Sequence, residues 1–378
     1  LHKFHDIIVA MKIRSVEAIA ISIPLPKPVA DAVRVITHRD HLLVTIQTED
    51  GLSGLGFTLG YDGSRAMVSL VDQIFRPILI GANAFDTEHL WAEMYRQSIQ
   101  AGRRGAALRT ISAIDIALWD LRGKAAGLPI MELLGVHSRR LRCYATGGYY
   151  RGGQSLDDLV RETSAVVEQG FTALKLKVGG LPAREDAARI GAVRRALGEG
   201  VDILLDANGG WKSAPEAIAA MDRLEEFNPF WIEEPVRADN LTAMSKIATA
   251  IRTPVATGEL EATRWAFAQL LDQRAAEILQ PDVTVCGGVT EWLKIAHLAA
   301  AFDVPVAPHY NWDFHSQLCA ATPNAIFVEY FLAASGVKMF DSVLANPMKP
   351  SGGYLEPRAL PGFGIELIDS EIQRYRIA

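Results

Sequence analysis

Cysteine is scarce: the chain of 378 residues has three, Cys143, Cys286 and Cys319. They lie far apart and match no zinc spacing, which sets aside a disulfide framework and a cysteine-zinc centre. Buried, unpaired thiols in a reducing cytoplasm are the expectation. No apolar run approaches the roughly 18 residues of a membrane span. Charge of one sign is also missing. The formal net charge is −6, and no basic stretch offers a nucleic-acid footprint. Leu1–Ala10 lacks the basic start and small-residue cleavage site of a secretory signal. Met11 reads as a candidate native start, with 1–10 a leader or extension. What remains is ordinary globular composition, 49% hydrophobic and 22% charged, on a chain long enough for a large core.

Two grammars follow one another. Residues 12–60 read as strands. Lys12–Ser22 alternates until Pro24, Pro26 and Pro28 break the pattern. His41–Thr48 is β-rich and ends at the turn signal Glu49-Asp50-Gly51. Gly51, Gly54, Gly56, Gly60 and Gly63 read as a flexible, turn-rich stretch. Residues 64–136 read as helices, with Ile111, Ile114, Leu118 and Leu121 on one face and a stop at Gly127-Leu128-Pro129. Strands followed by helices predict an α+β unit. From about residue 141, short apolar runs alternate with helical stretches. The runs are Leu141–Thr146, Ala173–Val178, Val201–Ala207, Phe230–Glu234, Val255–Gly258, Glu277–Pro281, Val304–Ala307 and Ile326–Tyr330. Eight such strands predict an α/β barrel, slightly shorter than the roughly 200-residue lower end for that fold. A missing last helix would account for the deficit. The tail is Gly- and Pro-rich until a helix over Asp369–Tyr375.

The strands end in polar residues, and in a barrel those ends meet on one face. They are Lys175-Leu176-Lys177, Asp206-Ala207-Asn208, Glu233-Glu234-Pro235, Gly258-Glu259, Gln280-Pro281-Asp282, Pro308-His309 and Glu329. A lone carboxylate after a strand is usually a helix cap. Asp206, Glu233 and Glu259 on three successive strands are different, because strands lie roughly 5 Å apart and the acids would crowd. A hard divalent cation relieves that repulsion, and all-oxygen ligands favour magnesium. Lys175 and Lys177, two apart, share a face of an otherwise apolar strand. Like charge and burial are expected to lower a lysine pKa toward that of a general base. Asp282 can hold His309 in one tautomer. Glu329 is either a substrate contact or a structural carboxylate. A phosphate-binding barrel would want a Gly-rich grip after the last two strands, and Pro308-His309-Tyr310-Asn311 does not supply one.

These strings resemble the mandelate racemase subgroup of the enolase superfamily. They include Ala-Leu-Lys-Leu-Lys-Val-Gly at 173–179, Leu-Asp-Ala-Asn at 205–208, Trp-Ile-Glu-Glu-Pro at 231–235, Thr-Gly-Glu at 257–259, Gly-Gly-Val at 287–289 and Pro-His at 308–309. Ile114-Asp115-Ile116-Ala117-Leu118-Trp119-Asp120 is similar to the family's capping-domain helix. The resemblance runs from about Ile13 to Ile377. It implies a modified (β/α)7β TIM barrel with an N-terminal α+β capping domain. The expected divisions are 1–10 leader or extension, 11–136 cap, 137–332 barrel, and 333–378 returning to the cap. Loops near Leu25–Arg39 and Gly56–Ser64 would close over the mouth.

The resemblance further implies one magnesium ion per subunit on Asp206, Glu233 and Glu259, with Glu234 behind them. It implies Lys177 as base on one substrate face beside Lys175, and His309 with Asp282 on the other, with Glu329 on the substrate carboxylate. Asn208, Arg39, His38, Tyr61 and Tyr149 are further candidates for substrate contact, with Arg34, Tyr150 and His315 beside them. The expected chemistry removes the proton beside a carboxylate. Likeness to galactarate and talarate dehydratases, in Pro28-Val29-Ala30-Asp31-Ala32 and Ala320-Ala321-Thr322-Pro323, favours dehydration of an acid sugar. A racemase or epimerase of a 2-hydroxy acid, and an inactive barrel that only binds, are the alternatives. A homo-oligomer, up to an octamer, is implied. A small carboxylate is the expected partner, with neither nucleic acid nor membrane.

Overall fold

Alternation in the first segment produces a three-stranded antiparallel sheet, β1 (Ile13–Ala30), β2 (Val35–Thr48) and β3 (Ser53–Leu59), in that order. A computed structural model describes residues 11–378; the leader expected at 1–10 lies outside the described residues. β1 is longer than its prolines predict. It continues past Pro24 with a register shift before Val29. Strand β1 is at the sheet edge, where a missing N–H breaks no second ladder.

Five α-helices follow, α1 (Ser64–Leu70), α2 (Arg76–Leu79), α3 (Thr87–Ser98), α4 (Ala106–Ala126) and α5 (Ile130–Leu134), with a π-helical turn at Val71–Phe75 joining the first two. Gly127 ends α4 in the left-handed conformation, φ 68°, as its sequence predicts. Helix α4 is buried on nearly every side because it lies between sheet and barrel. Gly54 and Gly56, expected in a flexible stretch, sit inside β3 instead. A Cβ on Gly56 would lie 2.0 Å from Ala113 O, so glycine lets α4 seat directly on the strand.

The second grammar forms the barrel. Its strands are β4 (Leu141–Gly147), β5 (Ala173–Lys177), β6 (Asp202–Asp206), β7 (Trp231–Glu233), β8 (Val255–Thr257), β9 (Ile278–Leu279) and β10 (Val328–Tyr330). They pair in parallel in the order β10-β4-β5-β6-β7-β8-β9. The seventh run, Val304–Ala307, forms single parallel bridges rather than a strand: Leu279 to Val306 and Val306 to Ala325. These bridges span the remaining gap. Seven helices connect the runs: α6 (Leu156–Glu168), α7 (Ala183–Leu197), α8 (Ala214–Leu224), α9 (Leu241–Ala250), α10 (Thr263–Asp272), α11 (Val289–Ala301) and α12 (Trp312–Ala320). No α-helix follows β10 until α13 (Asp369–Tyr375), in keeping with the missing last helix. In the tail, β11 (Tyr354–Leu355) adds antiparallel to β4. The chain end then returns to β1, where Ile377 N–H donates to Ala20 O at 2.8 Å.

One layer of inward side chains plugs the barrel: Tyr144, Ala173, Leu204, Trp231, Ala256, Ile278, Ala307 and Phe327, all buried. Each of the eight runs contributes one. Side chains alternate faces along a strand, so the residue two positions on points inward again, one layer nearer the C-terminal mouth. Among the described residues no helix is long and apolar enough to cross a membrane.

Candidate active site

Two residues beyond the apolar plug, the same eight runs carry Thr146, Lys175, Asp206, Glu233, Gly258, Gln280, His309 and Glu329. The barrel therefore stacks a polar layer on an apolar one. Lys175 is fully buried, with Nζ 2.9 Å from both Glu233 oxygens and 2.9 Å from Glu329 Oε1. Lys177, a layer higher, bonds Asp206. Gln280 Nε2 donates to Glu233 Oε2 at 2.7 Å. Glu329 also accepts from the Thr146 hydroxyl and, at 2.7 Å, from Tyr310 N–H.

Across the mouth, His309 Nδ1 lies 3.0 Å from Asp282 Oδ2, and Nε2 lies 3.4 Å from Glu259 Oε2. Asp282 Oδ1 accepts from Thr284 N–H and Oγ1, both at 2.8 Å. The carboxylate that orients the ring is thus itself held in place.

Electrostatics follow from crowding in a dry site. Burial raises the pKa of Glu233 to about 8, and neighbouring Asp206 adds to this against the pull of Lys175. Burial pushes Glu234 well up, reinforced by Glu259 and Asp206. Burial alone would raise Glu329 too, but Lys175 and His309 hold it down at about 2. Burial disfavours the His309 imidazolium, yet Glu259 and Asp282 outweigh that and bring its pKa to about 10. Lys177 departs from expectation: burial acts downward, but Asp206 prevails and the pKa is raised.

Asp206, Glu233 and Glu259, all buried, each offer an oxygen within 4.8 Å of the others. Glu234 Oε1 is buried beside them without a hydrogen-bond partner. Acid groups outnumber the two lysines and the histidine, so the residues present fit a hard divalent cation.

Arg39, Tyr61, Tyr149 and Asn208 line the cavity above Lys177 and His309. Asn208 Oδ1 is buried and without a partner there. Arg34, Asp31 and Tyr310 join them. The Tyr61 ring is held between the guanidiniums of Arg34 and Arg109, 4.8 and 4.9 Å from its centroid. His38 is not brought into this cavity; its ring turns to Asp62 at 2.6 Å. Tyr150 donates to Asp186, and His315 accepts from Val283 N–H, so both are engaged elsewhere. Thr146 and Gln280 were missed as site residues; their signal was the two-residue step from Tyr144 and Ile278. A wider cavity of about 700 Å³ lies outside the barrel near Tyr150, Leu159 and Leu181. It holds none of this chemistry, and the narrower mouth is the functional candidate.

The fold and site define a capped barrel in which three carboxylates that could hold a cation converge between a lysine and a histidine. The N-terminal domain model of the mandelate racemase / muconate lactonizing enzyme family matches residues 14–135, and the enolase C-terminal domain-like model matches 158–371. The chain belongs to this family of the enolase superfamily. It is 34% identical to arabinonate dehydratase of Saccharolobus solfataricus over 88% of this chain and 89% of that one. It is 35% identical to D-galactarolactone cycloisomerase of Agrobacterium fabrum over 97% and 99%. The structure of L-talarate dehydratase from Polaromonas sp. JS666, complexed with Mg and L-glucarate, superposes with a TM-score of 0.89 at 33% identity, covering 97% of this chain and 98% of that one.

Proposed function

We propose that this chain is a magnesium-dependent hydro-lyase that dehydrates an acid sugar, an aldonate or aldarate, to a 2-keto-3-deoxy acid. The observation that carries the reading is the placement of Lys177 and the Asp282-oriented His309 around one cavity with three converging carboxylates. Asp206, Glu233 and Glu259 would hold one magnesium ion, which when bound would offset their charge and stabilise negative charge growing on the substrate carboxylate. Lys177, as the neutral amine, takes the proton from C2; a cation held by Asp206 would offset the carboxylate charge that raises the Lys177 pKa. His309 gives its proton to the departing C3 hydroxyl, which leaves as water, and the resulting enol tautomerises to the ketone. The Lys175 ammonium, beside Glu233 and Glu329, adds fixed positive charge beneath the reacting carbons. Asn208, Arg39, Tyr61 and Tyr149 supply donors and acceptors suited to sugar hydroxyls and a distal carboxylate. The cap, 11–136, would select substrate; the barrel, 137–332, would carry the chemistry; and 333–378 would tie the two together.

A second reading is a cycloisomerase, favoured by the 35% identical relative of that name. Proton abstraction is common to both. Incubation with magnesium and a panel of aldonates, aldarates and their lactones, followed by NMR, separates them. A keto acid formed from an open-chain sugar acid supports dehydration. Conversion of lactones alone supports the second reading, and silence across the panel sinks both. We also place the protein in the cytoplasm as a homo-oligomer, up to an octamer. Three buried free cysteines support the first and the family relationship the second; light scattering tests the assembly.

A further inference from the structure

His38 leaves the barrel mouth for partners of its own. β2 pairs with β3 so that His41 faces Leu59, and Gly60 N–H donates to Asp40 O at 2.7 Å. Carried past the strand end, that register brings Asp62 to His38. His38 and Asp40, two apart on β2, share a face. Nε2 of His38 lies 2.6 Å from Asp62 Oδ1 and 3.5 Å from Asp40 Oδ1.

Asp40 is the informative member. Its side chain is only 7% exposed, and its Oδ1 is buried without a hydrogen-bond partner. A carboxylate oxygen left so is costly unless a cation meets it. Arg34, which lines the same hollow, is engaged by Asp31 at 3.0 Å. The other ring nitrogen, Nδ1 of His38, lies 3.0 Å from Thr37 Oγ1. A hydrogen bond at one imidazole nitrogen is what orients a histidine whose other nitrogen binds metal.

We propose that His38 Nε2, Asp40 Oδ1 and Asp62 Oδ1 form a second divalent-cation site, on the cap, that takes a zinc-like ion. Each of the three residues offers one ligand atom within 4.8 Å of those of the other two. Ligands of a tetrahedral zinc at about 2.0 Å are about 3.3 Å apart. The adjustment to that spacing would fall to His38 and Asp62, whose side chains are 38% and 80% exposed. One imidazole nitrogen with two carboxylates suits zinc better than magnesium, which demands an octahedron of oxygens. Water would complete the shell. The ion would pin the start of β2 to the turn after β3, the two segments whose Arg34 and Tyr61 reach the barrel mouth.

The test is equilibrium dialysis of the full protein against micromolar zinc with millimolar magnesium present, with bound metal measured by mass spectrometry. The wild type should retain one zinc per chain. His38→Ala and Asp62→Ala, both at solvent-facing positions and checked for folding by circular dichroism, should each weaken it by about tenfold or more. An anomalous peak at the zinc edge between His38 and Asp62 would confirm the ligands. No zinc retained by the wild type, or retention by both variants equal to that of the wild type, would overturn the site; the latter would place the ion in the barrel.

Discussion

Asp115, in the middle of cap helix α4, accepts hydrogen bonds from Thr290 at the start of barrel helix α11, from N–H at 2.9 Å and from Oγ1 at 2.6 Å. A buried carboxylate of one unit thus caps a helix of the other. Trp119 Nε1, one turn further along α4, donates to the same Thr290 hydroxyl at 3.0 Å. Cap and barrel are therefore joined by directional bonds as well as by apolar contact, which fixes the cap segments over the mouth.

This junction should be sensitive to pH. Burial raises the Asp115 pKa to about 7 against the lowering effect of the Thr290 bonds. The unfolded carboxyl titrates near 4, so between about pH 4 and pH 7 the folded state keeps a proton that the unfolded state has lost. The stability this contributes is complete below pH 4 and declines as pH rises through about 7, by at most about 1.4 kcal/mol per unit. Asp115→Asn should flatten that decline. Urea midpoints of both proteins at pH 5, 6 and 7 check it, and parallel curves would refute it.

Gly288 should tolerate no side chain. Its φ is +85°, and a Cβ there would lie 2.4 Å from Asp115 Oδ2. Gly288→Ala combines left-handed strain with displacement of a buried carboxylate, for a loss of about 2–3 kcal/mol. Urea unfolding measures it.

Lys177→Ala and His309→Asn should fail differently. Without Lys177, both exchange of the C2 proton with D₂O and dehydration should fall by about 10³-fold. Without His309, dehydration should fall comparably while exchange survives, since the proton on the lysine face is still removed. NMR in D₂O reads both rates. Loss of exchange in His309→Asn alone would reverse the assigned roles.

Removal of metal should abolish turnover, and magnesium should restore it. Magnesium at about 100 times its Kd should also stabilise the fold by about 2.7 kcal/mol if it binds only the folded site. Asp206→Asn should lose both effects, as read by thermal melts with and without magnesium.

Much of the barrel was visible in the order of residues. Parallel strands buried on both faces read as apolar runs, and polar residues at their ends must pool at one mouth. Lys175, Asp206, Glu233, His309 and Glu329 all stand two residues after an apolar plug residue, a period that strand geometry imposes. Thr146 and Gln280 obey the same step but carry no assigned role in the sequence, because a threonine or glutamine at a strand end announces no chemistry by itself. The run at Val304–Ala307 looks like a strand, yet its neighbours pair with it only at Val306. Composition does not reveal how much ladder two neighbours will supply.

The chain alone settles its barrel class, its polar mouth and the residue types gathered there, because side-chain periodicity and strand direction are local properties. Folding decides what depends on distant segments meeting. It turns His38 to Asp62 rather than to the mouth, and it raises the Lys177 pKa through Asp206 where like charge and burial argue for lowering it. It also makes Gly56 a seat for α4 instead of part of a flexible, turn-rich stretch. A pKa, a partner and a close approach are set by neighbours in space, and those neighbours lie up to hundreds of residues away along the chain.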